Sequence, residues 1–144
     1  ALQLTPEQIK AAEARRVEEV KQEELRRIRH EVLPEVDRLM RAGAFLEAID
    51  HLEEGVAFAS GYDERELMDS LSCVLGRCYL GLQQPKEALM GLNPALMQAR
   101  REGGPAAIKP HSIAAEAFKM QGELDKMRVE LRAMMESAAE STDE

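Results

Sequence analysis

Tryptophan is absent from this 144-residue chain, and two tyrosines and three phenylalanines make up its 3% of aromatic residues. The interior therefore has to be assembled from Leu, Ala, Val and Met. Thr, Tyr and Ile, which suit a pleated surface, are also scarce, whereas Ala, Glu, Leu, Arg and Met are abundant. That balance excludes a sheet-based domain and predicts an all-α chain. Basic residues are outnumbered, giving a net charge of −8. Without a dominant basic stripe, neither a nucleic acid nor an anionic membrane surface is an expected partner.

Only two cysteines occur, Cys73 and Cys78. Five residues apart, they point about 140° away from each other on a helix. They match neither a redox pair nor a zinc pair. The expectation is two reduced, half-buried small hydrophobes in an intracellular, reducing compartment. No apolar run approaches the ~20 residues of a membrane span, so direct membrane insertion is not expected, and no secretory leader is recognised. The chain opens on Ala1 rather than Met; if that reflects processing, an organelle interior stands beside the cytoplasm as an expected location.

What is present begins with a strong helix start. Thr5-Pro6-Glu7-Gln8 forms a capping box, with Thr5 at the N-cap, Pro6 at N1 and Gln8 at N3. Between there and Glu31 the charges balance: seven Glu face seven Lys or Arg. Several are placed acid-first three apart, as in Glu13–Arg16, Glu18–Lys21 and Glu23–Arg26, each worth a few tenths of a kcal/mol. Ile9, Val17, Val20, Leu25, Ile28 and Val32 make a thin apolar seam. Residues 1–31 are accordingly read as a charged N-terminal helix lying along the domain or against a partner, with a coiled coil as the other outcome. Pro34 cannot donate to the carbonyl of His30 and should kink the helix there.

From residue 32 a pattern recurs. "RLMRAGAFLEAIDHLEEGV" is a helix end, a turn at Gly43 and a new helix from Phe45; "RCYLGLQQPKEALMGLNPAL" repeats it forty residues later. Ala48 corresponds to Ala88, Leu52 to Leu92, Leu39 to Tyr79 and Gly43 to Gln83. A fainter third copy, "EAFKMQGELDKMRVELRAMM", sets Gly122 at the turn and Phe118 at the position of Tyr79. Three copies at one period indicate stacked helical hairpins over residues 32–136. Antiparallel helices 8–10 Å apart admit no long side chain where they cross. Gly76, Ala88 and Ala115 are the residues expected there. Asp63-x-x-Glu66 is expected to cap the helix that follows the first copy, and Asn93-Pro94 to bend the second. Gly103-Gly104-Pro105 is the sharpest break, with the helix after it shortened or kinked at Pro110. Residues 137–144 are expected to form an acidic, flexible tail.

At these positions the chain resembles the tetratricopeptide repeat family, in the longer-helix form seen in kinesin light chain and LGN-type adaptors. Leu75, Gly76, Tyr79, Ala88, Leu92 and Ala95 fit the family pattern in copy two, and Leu39, Gly43, Phe45, Ala48 and Leu52 in copy one. Val36, Gly55 and Met127 depart from it. The resemblance implies a short α–α superhelix whose first helices line a concave groove that holds a partner segment. Carried over, that groove would present Leu33, Asp37, Met40 and Arg41, then Ser70, Cys73, Arg77 and Leu80, then Ser112, Glu116, Lys119 and Met120. Arg77 would stand in a row between Asp37 and Glu116.

No constellation proposes catalysis. His30, His51 and His111 are scattered, the serines sit in no nucleophile elbow, and the Gly-Gly-Pro break lacks the Lys and Ser/Thr of a phosphate loop. The expectation is a non-catalytic adaptor or assembly subunit, needing no cofactor or metal and binding another protein. Two alternatives accompany it: a structural subunit that oligomerises or joins a larger complex through its N-terminal helix, and a regulatory subunit that inhibits or tethers an enzyme.

Overall fold

The capping box at Thr5 starts the first helix as its residues dictate. The Thr5 hydroxyl accepts from the Gln8 amide at 3.1 Å, and the Gln8 side chain accepts from the Thr5 amide at 2.9 Å. A computed structural model describes residues 3–142. Helix α1 (Pro6–Arg27) passes through a single π turn (Ile28–Val32) into α2 (Leu33–Arg41) without a break. Then come α3 (Phe45–Gly61), α4 (Arg65–Gly81), α5 (Pro85–Glu102), a 3-10 turn (Pro105–Ala107), α6 (Ile108–Met120) and α7 (Leu124–Thr142). The fold is all-α with a long N-terminal helix, and no helix among the described residues is long and apolar enough to cross a membrane.

Pro34 acts on the helix as its missing N–H requires, although the outcome is a widened turn and not a break. The Leu33 amide donates to Ile28, five residues back, so the ladder slips by one position just before the proline. α5 likewise runs uninterrupted past Pro94.

Four of the connections are one turn used four times. At each, the residue in the left-handed region is Gly43, Asp63, Gln83 or Gly122, with φ of 77°, 54°, 61° and 75°. The next residue's amide reaches back across the helix end: Ala44 to Leu39, Glu64 to Ala59, Gln84 to Tyr79 and Glu123 to Phe118. This is the Schellman arrangement, which satisfies carbonyls the helix end leaves open. Asp63 is therefore not a helix cap. Its backbone makes the turn, and α4 starts two residues later with no side-chain cap. The fifth connection, after α5, uses Gly103 (φ 62°) and Gly104 (φ 77°).

Short turns place each helix antiparallel to the next, and two apolar cores result. The first gathers Leu25, Ile28, Val32, Val36 and Leu39 of the long helix with Leu52 of α3 and Leu71 and Cys78 of α4. The second gathers Cys73 and Leu80 of α4, Ala88, Leu92 and Leu96 of α5, and Ile113, Ala114 and Ala117 of α6. The small residues mark the closest crossings, as expected. Ala88 is fully buried, and a Cβ placed on Gly76 would lie 3.3 Å from Ile113 and 3.5 Å from the Ala88 carbonyl.

Two boundaries and one burial differ from the sequence reading. The core starts at Leu25, so the packed body begins before residue 32. Residues 137–142 are the last turns of α7 rather than a flexible tail: Ser137 is buried, and Glu140 accepts from the Gly104 amide at 2.7 Å. Residues 143 and 144 lie outside the described residues. Both cysteines are fully buried instead of half-buried, and burial pushes each thiol up to about 11.

Candidate functional site

The glycine pair after α5 cannot continue a helix. It sends the chain around so that α6 starts at a distance from α5, leaving a cleft of about 420 Å³ beside α4. The walls are small and apolar: Cys73 and Val74 from α4, Ala95 and Ala99 from α5, Pro105 and Ala107 beyond the break, and Leu33 at one edge. Glu66, Asp69 and Glu102 line it too, against the single cation Lys109. Asp69 is half-buried, and burial raises its carboxyl above the ordinary range, helped by Glu102 and opposed chiefly by Arg65. Such a cleft suits an apolar side chain held between alanines, followed by a cation at the acidic rim.

The sequence reading is only partly reproduced here. Leu33, Ser70 and Cys73 do line the cleft. Cys73 forms its floor, however, and Leu80 lies inside the second core, so these two present almost no surface. Met40 is half-buried against the first core. Asp37 and Arg41 are exposed and pair with each other at 3.0 Å. Arg77, Ser112, Glu116, Lys119 and Met120 are exposed outside the cleft. Among the described residues no ion pair joins Arg77 to Asp37 or Glu116, and Asp37 is engaged by Arg41 instead. The helix-A register assumed full-length helices, whereas α6 starts late, after the 3-10 turn at Pro105–Ala107. In the sequence Glu66 reads only as a helix-capping residue, and Asp69, Glu102 and Lys109 carry no mark of a site. Their signal was the Gly-Gly-Pro break, which separates α6 from α5 and opens space there.

A second polar feature lies among α5, α6 and α7. Glu130 is buried, and its two oxygens take Arg100 Nη2 at 2.7 Å and His111 Nδ1 at 2.5 Å. His111 is as deeply buried as Glu130, whereas half of the Arg100 side chain reaches water. The pair is 19 residues apart in sequence, beyond any local spacing rule. Among the described residues no three His, Cys, Asp or Glu side chains converge to hold a metal.

The third feature is the N-terminal half of α1. Every residue from Gln3 to Val20 is exposed, so this segment projects from the body and does not lie along it. Its base is fixed where Lys21 meets Glu64 at 2.9 Å, with the Lys21 ammonium 5.9 Å from the Tyr62 ring centre. No family model matches the chain, and neither a curated protein nor a solved structure does.

Proposed function

We propose that this chain is a non-catalytic protein-binding module, an adaptor or assembly subunit built on tetratricopeptide-like hairpins. Its partner inserts a short segment into the cleft between α4, α5 and α6. The observation that carries this reading is the cleft's composition: apolar walls of small residues under three carboxylates and one lysine. Recurrent turns and close-packed alanines support the repeat architecture. The segment that fits carries an apolar side chain next to Lys or Arg, because the cleft's own lining holds three carboxylates to one lysine, with Arg65 and Arg101 acting on Asp69 from beyond it.

Selection of a random displayed peptide library on the intact protein tests it. Enrichment of peptides with an apolar residue beside a basic one is expected. Glu66 and Glu102 are exposed, so Glu66→Lys with Glu102→Lys should preserve helicity yet weaken those peptides at least tenfold, about 1.4 kcal/mol. Unchanged binding by the folded double variant, or enrichment of acidic peptides, overturns the proposal.

A further inference from the structure

We propose that the projecting half of α1 pairs antiparallel with the same segment of a second copy of this chain. The inference is independent of the cleft and stands on the arm's own residues. Ile9, Val17 and Val20 are roughly half exposed, and the Tyr62 ring continues their surface at the arm's base. Apolar side chains held in water along one helix face call for an occupant, and the charges between them say which.

Ile9, Glu13, Arg16 and Val20 follow one another at steps of four, three and four. These steps keep them on one face of a helix. Read in reverse, the spacing is unchanged and the order becomes apolar, cation, anion, apolar. An antiparallel partner centred midway between Glu13 and Arg16 therefore sets Ile9 against Val20 and Glu13 against Arg16, twice over by symmetry. A parallel partner in register would set Glu13 on Glu13 and Arg16 on Arg16, which repel.

The helix's own ion pairs add a second, separate observation. Arg26 takes Glu23 at 2.7 Å and Arg27 takes Glu24 at 3.1 Å. Glu18 accepts from Gln22, and Lys21 turns to Glu64. Glu13 and Arg16 carry no ion pair among the described residues, as is true of Glu7, Lys10, Arg15 and Glu19 on the same arm, and of these only Glu13 and Arg16 lie between Ile9 and Val20 on their face. Both charges remain open at the centre of the seam. The projecting stretch from Pro6 to Val20 is about 22 Å long, and in this register Pro6 stands opposite Glu23 of the other copy. The overlap thus uses the whole arm and runs three residues past Val20, into the segment that Lys21 ties to the body.

Sedimentation equilibrium of the full chain over a wide concentration range provides the test. A reversible monomer–dimer equilibrium is expected. Glu13→Arg alone and Arg16→Glu alone should each weaken it at least about tenfold. The two single variants mixed together should form a heterodimer of wild-type strength, because each restores both charge pairs of the other. The chain carrying both changes should also regain dimerisation. Both positions are exposed on the arm, and circular dichroism checks that helicity is intact. A chain that stays monomeric throughout overturns the proposal. So does a dimer indifferent to both reversals, or two variants that fail to rescue each other.

Discussion

Ala88 shows how much one methyl group decides. It is fully buried where α5 crosses α4, with the Gly76 backbone opposite. Ala88→Leu would drive three extra carbons into a contact with no free volume. A loss of about 1–3 kcal/mol is expected by thermal melting, while the neighbouring exposed Glu87→Leu should stay within about 0.5 kcal/mol. The cysteines lead to a different measurement. With each thiol near 11 against an ordinary 9.0, the thiolate fraction at pH 8 is about a hundredfold smaller than in the unfolded chain. Native labelling by a thiol reagent should be slower by at least that factor, and denaturant should abolish the difference. The same shifts have a sign for stability. The folded state holds these protons more tightly, so stability is intact below the ordinary thiol range. It should decline as pH rises from about 9 towards 11. Burial moves the Tyr79 hydroxyl in the same direction, so the melting temperature should fall across that window. Small residues at crossings were legible in the sequence because sterics there leave few choices. The depth of Cys73 was not, since its neighbours Ile113 and Ala114 come from a helix forty residues away.

At the scale of helices, local chemistry was readable and partner-dependent behaviour was not. The Thr5 box and the turns at Gly43, Gln83 and Gly122 follow from residues within a few positions. Asp63 escaped because Asp is both a good cap and one of the few side chains that tolerate positive φ; the choice between the two was made by α3 packing on α4. The end of α7 escaped for a related reason. Its continuation past Ser137 is supported by a contact from Glu140 to Gly104, 36 positions away in sequence. Glu130 likewise owes its burial to α5 and α6. Removing it as Glu130→Ala leaves His111 enclosed without its partner, whereas Arg100 recovers water. A cost of about 2–4 kcal/mol is expected from denaturant titration. Arg100→Ala, which removes the half-exposed member, should cost less than about 1 kcal/mol. Equal losses for the two variants would contradict this division of labour.

For the molecule as a whole, packing between neighbours in sequence dominates. Each helix from α2 onward packs on the next, and α4 bridges the two cores. Such order permits folding to start in one hairpin and spread. The α4–α5 hairpin is the natural starting point, because it contributes the Gly76–Ala88 crossing and faces both cores. The candidate cleft and the arm lie at opposite extremes of legibility. The arm's capping, charge balance and apolar seam all sit within one helix, so the sequence states them in order. The cleft combines three helices and the geometry of a glycine break, and its carboxylates are ordinary surface residues until those helices meet.

The π turn at Ile28–Val32 separates what the long helix does for the body from what it offers to solvent. One residue too many for an α-helical ladder occupies that turn, and each α-helical residue advances the azimuth by about 100°. A turn closed five residues back needs one more residue to come round than an α turn does, so it absorbs most of that advance. The insertion therefore works as a buffer. Ile28, Val32 and Val36 stay aimed at the core, and the arm beyond keeps nearly the heading of an uninterrupted helix. Deleting a single residue such as Arg29 should return the turn to α geometry and leave the arm's face where it is. The chain can gain or lose one residue at this point without re-aiming the surface at its far end.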